Sequence, residues 1–316
     1  MFDYSKEFEA IAKAYAQSGG DATALIDKNF ASLVVSGNKV LASNSIPGVR
    51  IESEETETGV RARVIVEPGT QVAFPVHLCF GVIPQEGLQE ISSEFEIGEG
   101  AKINFLAHCS FPNALQVRHL MEATMHIGQG AELTYSETHF HGPEGGIVVV
   151  PKTAVKIEER GIFNNQFKLV TGRVGILDLD LKAELEEKAV CDLETKVYGK
   201  GEDKIKVKES VYLNGPWSRG LVKSRIVVSE RAQSEVLGEA IGNGPHTRGH
   251  VDCLEIIQGN EAQARAVPLL QVVNSTAKLT HEAAIGSVDK KQVQTLMARG
   301  LSESQAVETV VRGLLK

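Results

Sequence analysis

Ile97-Gly98-Glu99-Gly100-Ala101-Lys102-Ile103 and Ile127-Gly128-Gln129-Gly130-Ala131-Glu132-Leu133 are nearly the same phrase, one repeat of thirty residues apart. Each sets a glycine turn before an alanine, then alternates polar and apolar residues. That alternation puts every second side chain on one face of a strand. A phrase returning at this step suits a stacked solenoid, in which each coil covers the apolar edge of the one before. Looser versions begin at Ala154, Ala189, Ala232, Ala262 and Ala277. Their unequal spacing predicts coils that carry insertions or lack the phrase. The residues point to an irregular β-helix, with a β-sandwich or barrel as the alternative.

Working outward, residues 30–286 keep this texture. Arg61 to Val66, Ala101 to Phe105, Ala131 to Tyr135, Ile205 to Val211 and Val222 to Val228 each have the length of a strand. No helical crossover interrupts them, which excludes a doubly wound α/β sheet. Residues 1–29 read as a helical cap, with Phe8, Ile11 and Tyr15 at helix spacing, Asp3 or Ser5 as N-cap, and Gly19-Gly20 as the stop. Residues 287–316 read as two helices. Asp289 to Ala298 carries Val293, Leu296 and Met297 on one side. Ser302 and Gln305 then form a capping box ahead of Ala306, Val310, Val311 and Leu314. Helices this short do not stand alone, so their apolar faces must pack on the β body, on a partner, or on both.

Composition narrows the function. With 42% hydrophobic and 23% charged residues, the chain is an ordinary soluble one. Its net charge of −8 disfavours broad phosphate-backbone binding. No run approaches the ~20 apolar residues of a membrane span, and Met1-Phe2-Asp3-Tyr4 lacks signal-peptide layout. Cys79, Cys109, Cys191 and Cys253 are too scattered for a disulfide framework, a Cys-x-x-Cys motif or a ferredoxin-type run. These features predict a cytoplasmic location. Neither a phosphate-binding Gly-x-x-x-x-Gly-Lys loop nor a Gly-x-Ser-x-Gly elbow occurs. The chain therefore reads as non-catalytic, with any nucleotide energy supplied by a partner.

Six of the nine histidines lie between His77 and His141. His139 and His141 share a strand face, and with Glu144 they are vaguely similar to the metal motif of cupins. Glu144 comes one position too early, however, and no downstream histidine phrase follows. We read the pair as structural or solvent-facing, with a cupin-like metal enzyme as a minor alternative. His108 and Cys109 are adjacent and point to opposite faces, while His77 and Cys79 share a face but lack a third ligand. Cys79, Cys109 and Cys191 read as small core hydrophobes. Cys253 differs. It shares a face with Val251 and Glu255, and His281 follows 28 residues later, close to one coil. Neighbouring rungs would thus bring together a thiolate, an imidazole and a carboxylate, a set suited to a borderline metal such as iron.

Arg248-Gly249-His250-Val251-Asp252-Cys253, His281-Glu282-Ala283-Ala284-Ile285-Gly286, Gln292, and Arg299-Gly300-Leu301-Ser302-Glu303 with Ala306 closely resemble the signature of the SufB/SufD family. Leu120-Met121-Glu122, Gly172-Arg173-Val174-Gly175 and Leu213-Asn214-Gly215 are compatible with it. The resemblance covers roughly residues 50–316 and implies a right-handed parallel β-helix (a solenoid) with short terminal helices. It further implies a scaffold of the SUF system that assembles a transient iron–sulfur cluster. A SufC-like ABC ATPase would dock on the C-terminal helices, and a sulfur donor and apo-protein acceptors would be further partners. Cys253, His281 and Glu282 match positions implicated in nascent cluster assembly in SufB, whereas SufD has the histidine without the cysteine. The chain is thus similar to a short SufB, and a homodimer is the economical assembly. The sulfur-entry cysteine stays open between Cys109 and Cys191. A cluster-free adaptor or regulatory partner of an ABC-type ATPase is the alternative.

Overall fold

Alternating sequence becomes strand wherever a tight turn releases it. The structure, a computed structural model, describes residues 4–316. Helix α1 (Tyr4–Gln17) is followed by β1 (Ser32–Ser36), β2 (Lys39–Asn44), β3 (Val49–Glu55), β4 (Gly59–Val66), β5 (Val76–Gly81) and β6 (Glu86–Ile97). The middle holds β7 (Lys102–Phe111), β8 (Gln116–Ile127), β9 (Glu132–His141), β10 (Ile147–Ile157), β11 (Ile162–Thr171) and β12 (Ile176–Leu185). Then come β13 (Val190–Gly199), β14 (Lys204–Leu213), β15 (Arg219–Ser229), β16 (Gln233–Gly242), β17 (Arg248–Gln258), β18 (Gln263–Val272) and β19 (Lys278–Ser287). Helices α2 (Lys290–Met297) and α3 (Glu303–Leu314) close the chain.

From β4 onward successive strands alternate between two sheets and pair in parallel with the strand two places away. One sheet runs β19-β17-β15-β13-β11-β9-β7-β5-β1-β2 and the other β18-β16-β14-β12-β10-β8-β6-β4-β3. This is a mainly β, parallel β-solenoid with short terminal helices, not the barrel or sandwich alternative and not a cupin. Strand β7 shows the rule: Ile103, Phe105, Ala107, Cys109 and Phe111 point inward and are buried, while Lys102 and Asn104 are exposed.

The quoted glycines have two separate jobs. A Cβ on Gly98 would fall 2.5 Å from Pro68 N, and one on Gly128 would fall 2.9 Å from Glu99 N, so stacked turns need bare backbone there. Gly100 and Gly130 instead take positive φ, +67° and +64°. Arg160, Lys188, Trp217 and His246 hold the same left-handed position in later coils, so the turn persists after its glycine has gone.

The uneven alanine spacing comes from two interleaved corners, not from insertions. Ala101, Ala131, Ala189 and Ala277 precede strands of one sheet, and Ala232 and Ala262 precede strands of the other. Gly161, Ser218 and Thr247 fill the missing steps. Ala154 is no corner at all; it lies inside β10. Of the two expectations for His139 and His141, the solvent-facing one needs correction, because both rings are buried inside the solenoid.

Both terminal helical segments lie on the outer face of the same sheet. Ile11 and Tyr15 of α1 are fully buried with Val34 and Cys79, and Phe8 packs beside them. The Tyr15 hydroxyl meets His77 Nδ1 at 2.6 Å. Of the two expected caps, Asp3 lies outside the described residues and Ser5 falls within the helix. At the other end Val311 and Leu315 pack on Tyr198 and Val227, with Ile256 and Leu314 alongside. Asp289 caps α2, and the Ser302–Gln305 capping box opens α3 with bonds of 3.3 and 2.9 Å. Among the described residues no helix is long and apolar enough to cross a membrane.

Candidate functional site

The C-terminal coils carry titratable side chains inside. On β17, Val251, Cys253 and Glu255 face the interior, all with at most 1% exposure. The register stacks Cys253 between Ser224 of β15 and Ala283 of β19. Strand β16 supplies Gly238, where an added Cβ would sit 2.6 Å from Val251 Cγ1 and 3.5 Å from Cys253 Sγ. The missing side chain makes room for Val251, and Cys253 lies at ordinary contact distance.

Two interior carboxylates lie near it. Glu209 accepts from Thr195 Oγ1 at 2.8 Å, and Glu255 accepts from Ser234 Oγ at 2.5 Å. The second oxygen of each is buried without a hydrogen-bond partner, an arrangement that costs stability in an apolar interior. Burial raises the Glu209 carboxyl to about 7, eased by the Thr195 bond and pushed on by Glu194. Burial also raises Glu255 and the Cys253 thiol. For Cys253, Ser224 offsets part of the rise, while Glu209, Glu255 and Asp252 add to it.

His281 and Glu282 lie one rung beyond, on the last strand. His281 stands opposite Val251, and so on the interior-facing row that includes Cys253, but one pair away along the strand. Glu282 stands opposite Asp252 on the outward row, where Arg225 pairs with the Asp252 carboxylate. No coil follows β19, and both His281 and Glu282 are exposed. Cys253 and His281 are therefore diagonal neighbours on adjacent rungs, whereas Glu282 leaves by the opposite face within one chain.

The sequence reading placed Glu255 beside Cys253 but missed Glu209, Ser224 and Gly238. A signal for Glu209 exists in Ile205-Lys206-Val207-Lys208-Glu209-Ser210-Val211, where the glutamate occupies an apolar beat. Its nearness to Cys253 depends on how the coils stack and leaves no local trace.

The SufBD core domain of SUF system FeS cluster assembly matches residues 84–314. The chain belongs to the SufBD family. An iron-sulfur cluster assembly SufBD family protein of Pyrococcus horikoshii is 37% identical over 313 residues, covering 99% of this chain and 95% of the relative. Another, from Methanocaldococcus jannaschii, is 37% identical over 283 residues, or 90% and 89% of the two chains. A third, from Archaeoglobus fulgidus, is 26% identical over 278 residues, or 88% and 73%. A scaffold role in iron–sulfur cluster assembly is what SufBD membership carries for this chain.

Proposed function

We propose that the chain is a SufB-like, non-catalytic scaffold on which an iron–sulfur cluster is built as transient cargo, with Cys253, His281 and Glu282 as its ligands. The observation that carries this reading is the position of Cys253 in the last covered coil, diagonal to His281 on an uncovered rung. Thiolate, imidazole and carboxylate together suit iron.

Strands β18 and β19 end their sheets without a further partner, and Leu269, Val272, Val273 and Ile285 are exposed there. Unpaired edges bearing apolar side chains favour strand addition, and a second copy would continue both sheets in a closed two-fold dimer. Glu282 of one chain would then join ligands at the seam. The apolar groove between α2 and α3, lined by Leu296, Val310 and Leu314, is the docking surface for a SufC-like ABC ATPase. A cytoplasmic setting agrees with four unpaired cysteines.

Anaerobic reconstitution with ferrous iron and sulfide gives a charge-transfer absorbance in the wild type and none in Cys253→Ala; a normal cluster in the variant sinks the site. The burial of Cys253 and its raised thiol favour one rival reading, a cluster-free ATPase adaptor. That reading predicts cellular function surviving Cys253→Ala while the ATPase still co-purifies. Deletion of residues 287–316 abolishes ATPase co-purification under both readings.

A further inference from the structure

Several coils from Cys253, a second set of metal-ligating side chains is buried between β7 and β9. The register sets Cys109 against His139, and Ala107 against Glu137. A ligand atom from each of Cys109, Glu137 and His139 lies within 4.8 Å of the other two. All three residues are buried, among Phe111 and Phe167, whose rings lie 6.3 and 4.9 Å from that of His139.

The hydrogen bonds fix which atoms face inward. His141 Nδ1 lies 2.9 Å from the Arg173 carbonyl oxygen and must donate to it. In the neutral ring its Nε2 is then an acceptor. That Nε2 stands 3.3 Å from His139 Nδ1, which therefore carries the donated hydrogen. His139 Nε2 then turns a lone pair toward Glu137 Oε1 at 2.6 Å, a contact that needs a hydrogen or a metal ion between the two atoms. An outer N–H bond holding the ring while the other nitrogen faces a carboxylate is the support that metal-bound histidines have. A further observation points the same way. His119 of β8 is fully buried, its ring 6.1 Å from that of His139, and neither of its nitrogens has a hydrogen-bond partner.

We propose that Cys109, Glu137 and His139 form a buried mononuclear site for a divalent transition cation of the zinc or ferrous class, beside the unpartnered ring of His119. One thiolate and one carboxylate neutralise a dication, as an apolar interior requires. Sulfur and nitrogen donors exclude magnesium and calcium. Loading releases two protons, one from the Cys109 thiol and one from the Glu137–His139 contact, with no change of oxidation state. The site clamps β7 and β9 together and uses no residue of the Cys253 centre.

The test uses the full chain, chelator-treated and anaerobic, titrated with cobalt(II), together with elemental analysis of protein produced in zinc-supplemented medium. One equivalent of cobalt, or of co-purified zinc, is expected. Bound cobalt shows tetrahedral visible bands and a thiolate charge-transfer band, and zinc displaces it. Cys253→Ala leaves this signal unchanged, which separates it from failure of the cluster-assembly reading. The near-isosteric Cys109→Ser abolishes the charge-transfer band, and His141→Ala weakens binding by about 10–100-fold, with circular dichroism reporting that each variant is folded. Absence of both cobalt and zinc, a band surviving in Cys109→Ser, or a band lost in Cys253→Ala overturns the proposal.

Discussion

The two ends of the solenoid solve the same problem differently. At the N-terminal end the chain doubles back. Strands β2 and β3 are antiparallel to β1 and β4, and Val40 of β2 and Ile46 of the β2–β3 connection pack against the core. At the C-terminal end β18 and β19 simply stop, and positions that would face inward in any other coil are exposed. Inside, Phe95, Phe105 and Tyr135 pack edge to face in the N-terminal half; the same half also buries Glu137, His119 and His139, as the C-terminal half buries Glu209, Glu255, Thr195 and Ser224 near Cys253. An aromatic layer under a closed end supplies stability. Buried polar groups in either half give some of it up, and such sacrifices mark where function resides.

This contrast breaks if the two ends respond alike to truncation. Phe105→Ala, in the aromatic half, should cost about 3–5 kcal/mol in denaturant unfolding. Ile285→Ala on the exposed edge should stay within about 0.5 kcal/mol while weakening self-association in sedimentation. Equal losses would mean that the open end is as much a part of the core as the closed one.

The polar interior is sharpened by pH. A carboxyl whose folded pKa exceeds its unfolded value binds more protons folded than unfolded between the two, so its contribution to stability falls as pH rises through that window. For Glu209 the window runs from about 4.5 to about 7. Buried His141, with its pKa depressed to about 3, works in the opposite direction between about 3 and 6.5. The quantity to measure is therefore the stability of Glu209→Gln minus that of the wild type, which should grow across pH 4.5 to 7 and level off above. A flat difference would remove Glu209 from the list of strained interior groups.

The smallest effect concerns α3. Ser302→Ala removes one half of the capping box and should cost about 1 kcal/mol, seen as faster hydrogen exchange in α3 with β7 and β9 unchanged. Loss of protection in β7 and β9 as well would show that α3 is coupled to the whole solenoid.

Much of this was legible in the residues. The capping box needs only Ser302 and Gln305, and the inward row Val251, Cys253, Glu255 follows from a period of two. Less legible were the repeats. The left-handed corner passes from Gly100 and Gly130 to Arg160, Lys188, Trp217 and His246, so a conserved geometry has no conserved letter. The two corner series also overlap in the sequence and look like irregular insertions.

What the sequence determined by itself is everything set by neighbours along the chain: strand texture, caps, the faces of single strands, and the motifs that mark the SufBD family. Only the tertiary structure decided that Cys109 meets His139, that Glu209 reaches toward Cys253, and that Cys253 stacks on Ala283 with His281 one pair aside. Those contacts join residues about one or more coils apart, and a shift of one residue in a single turn would exchange every inward side chain for an outward one. Register is a property of the stacked coils, and no stretch of one coil contains it.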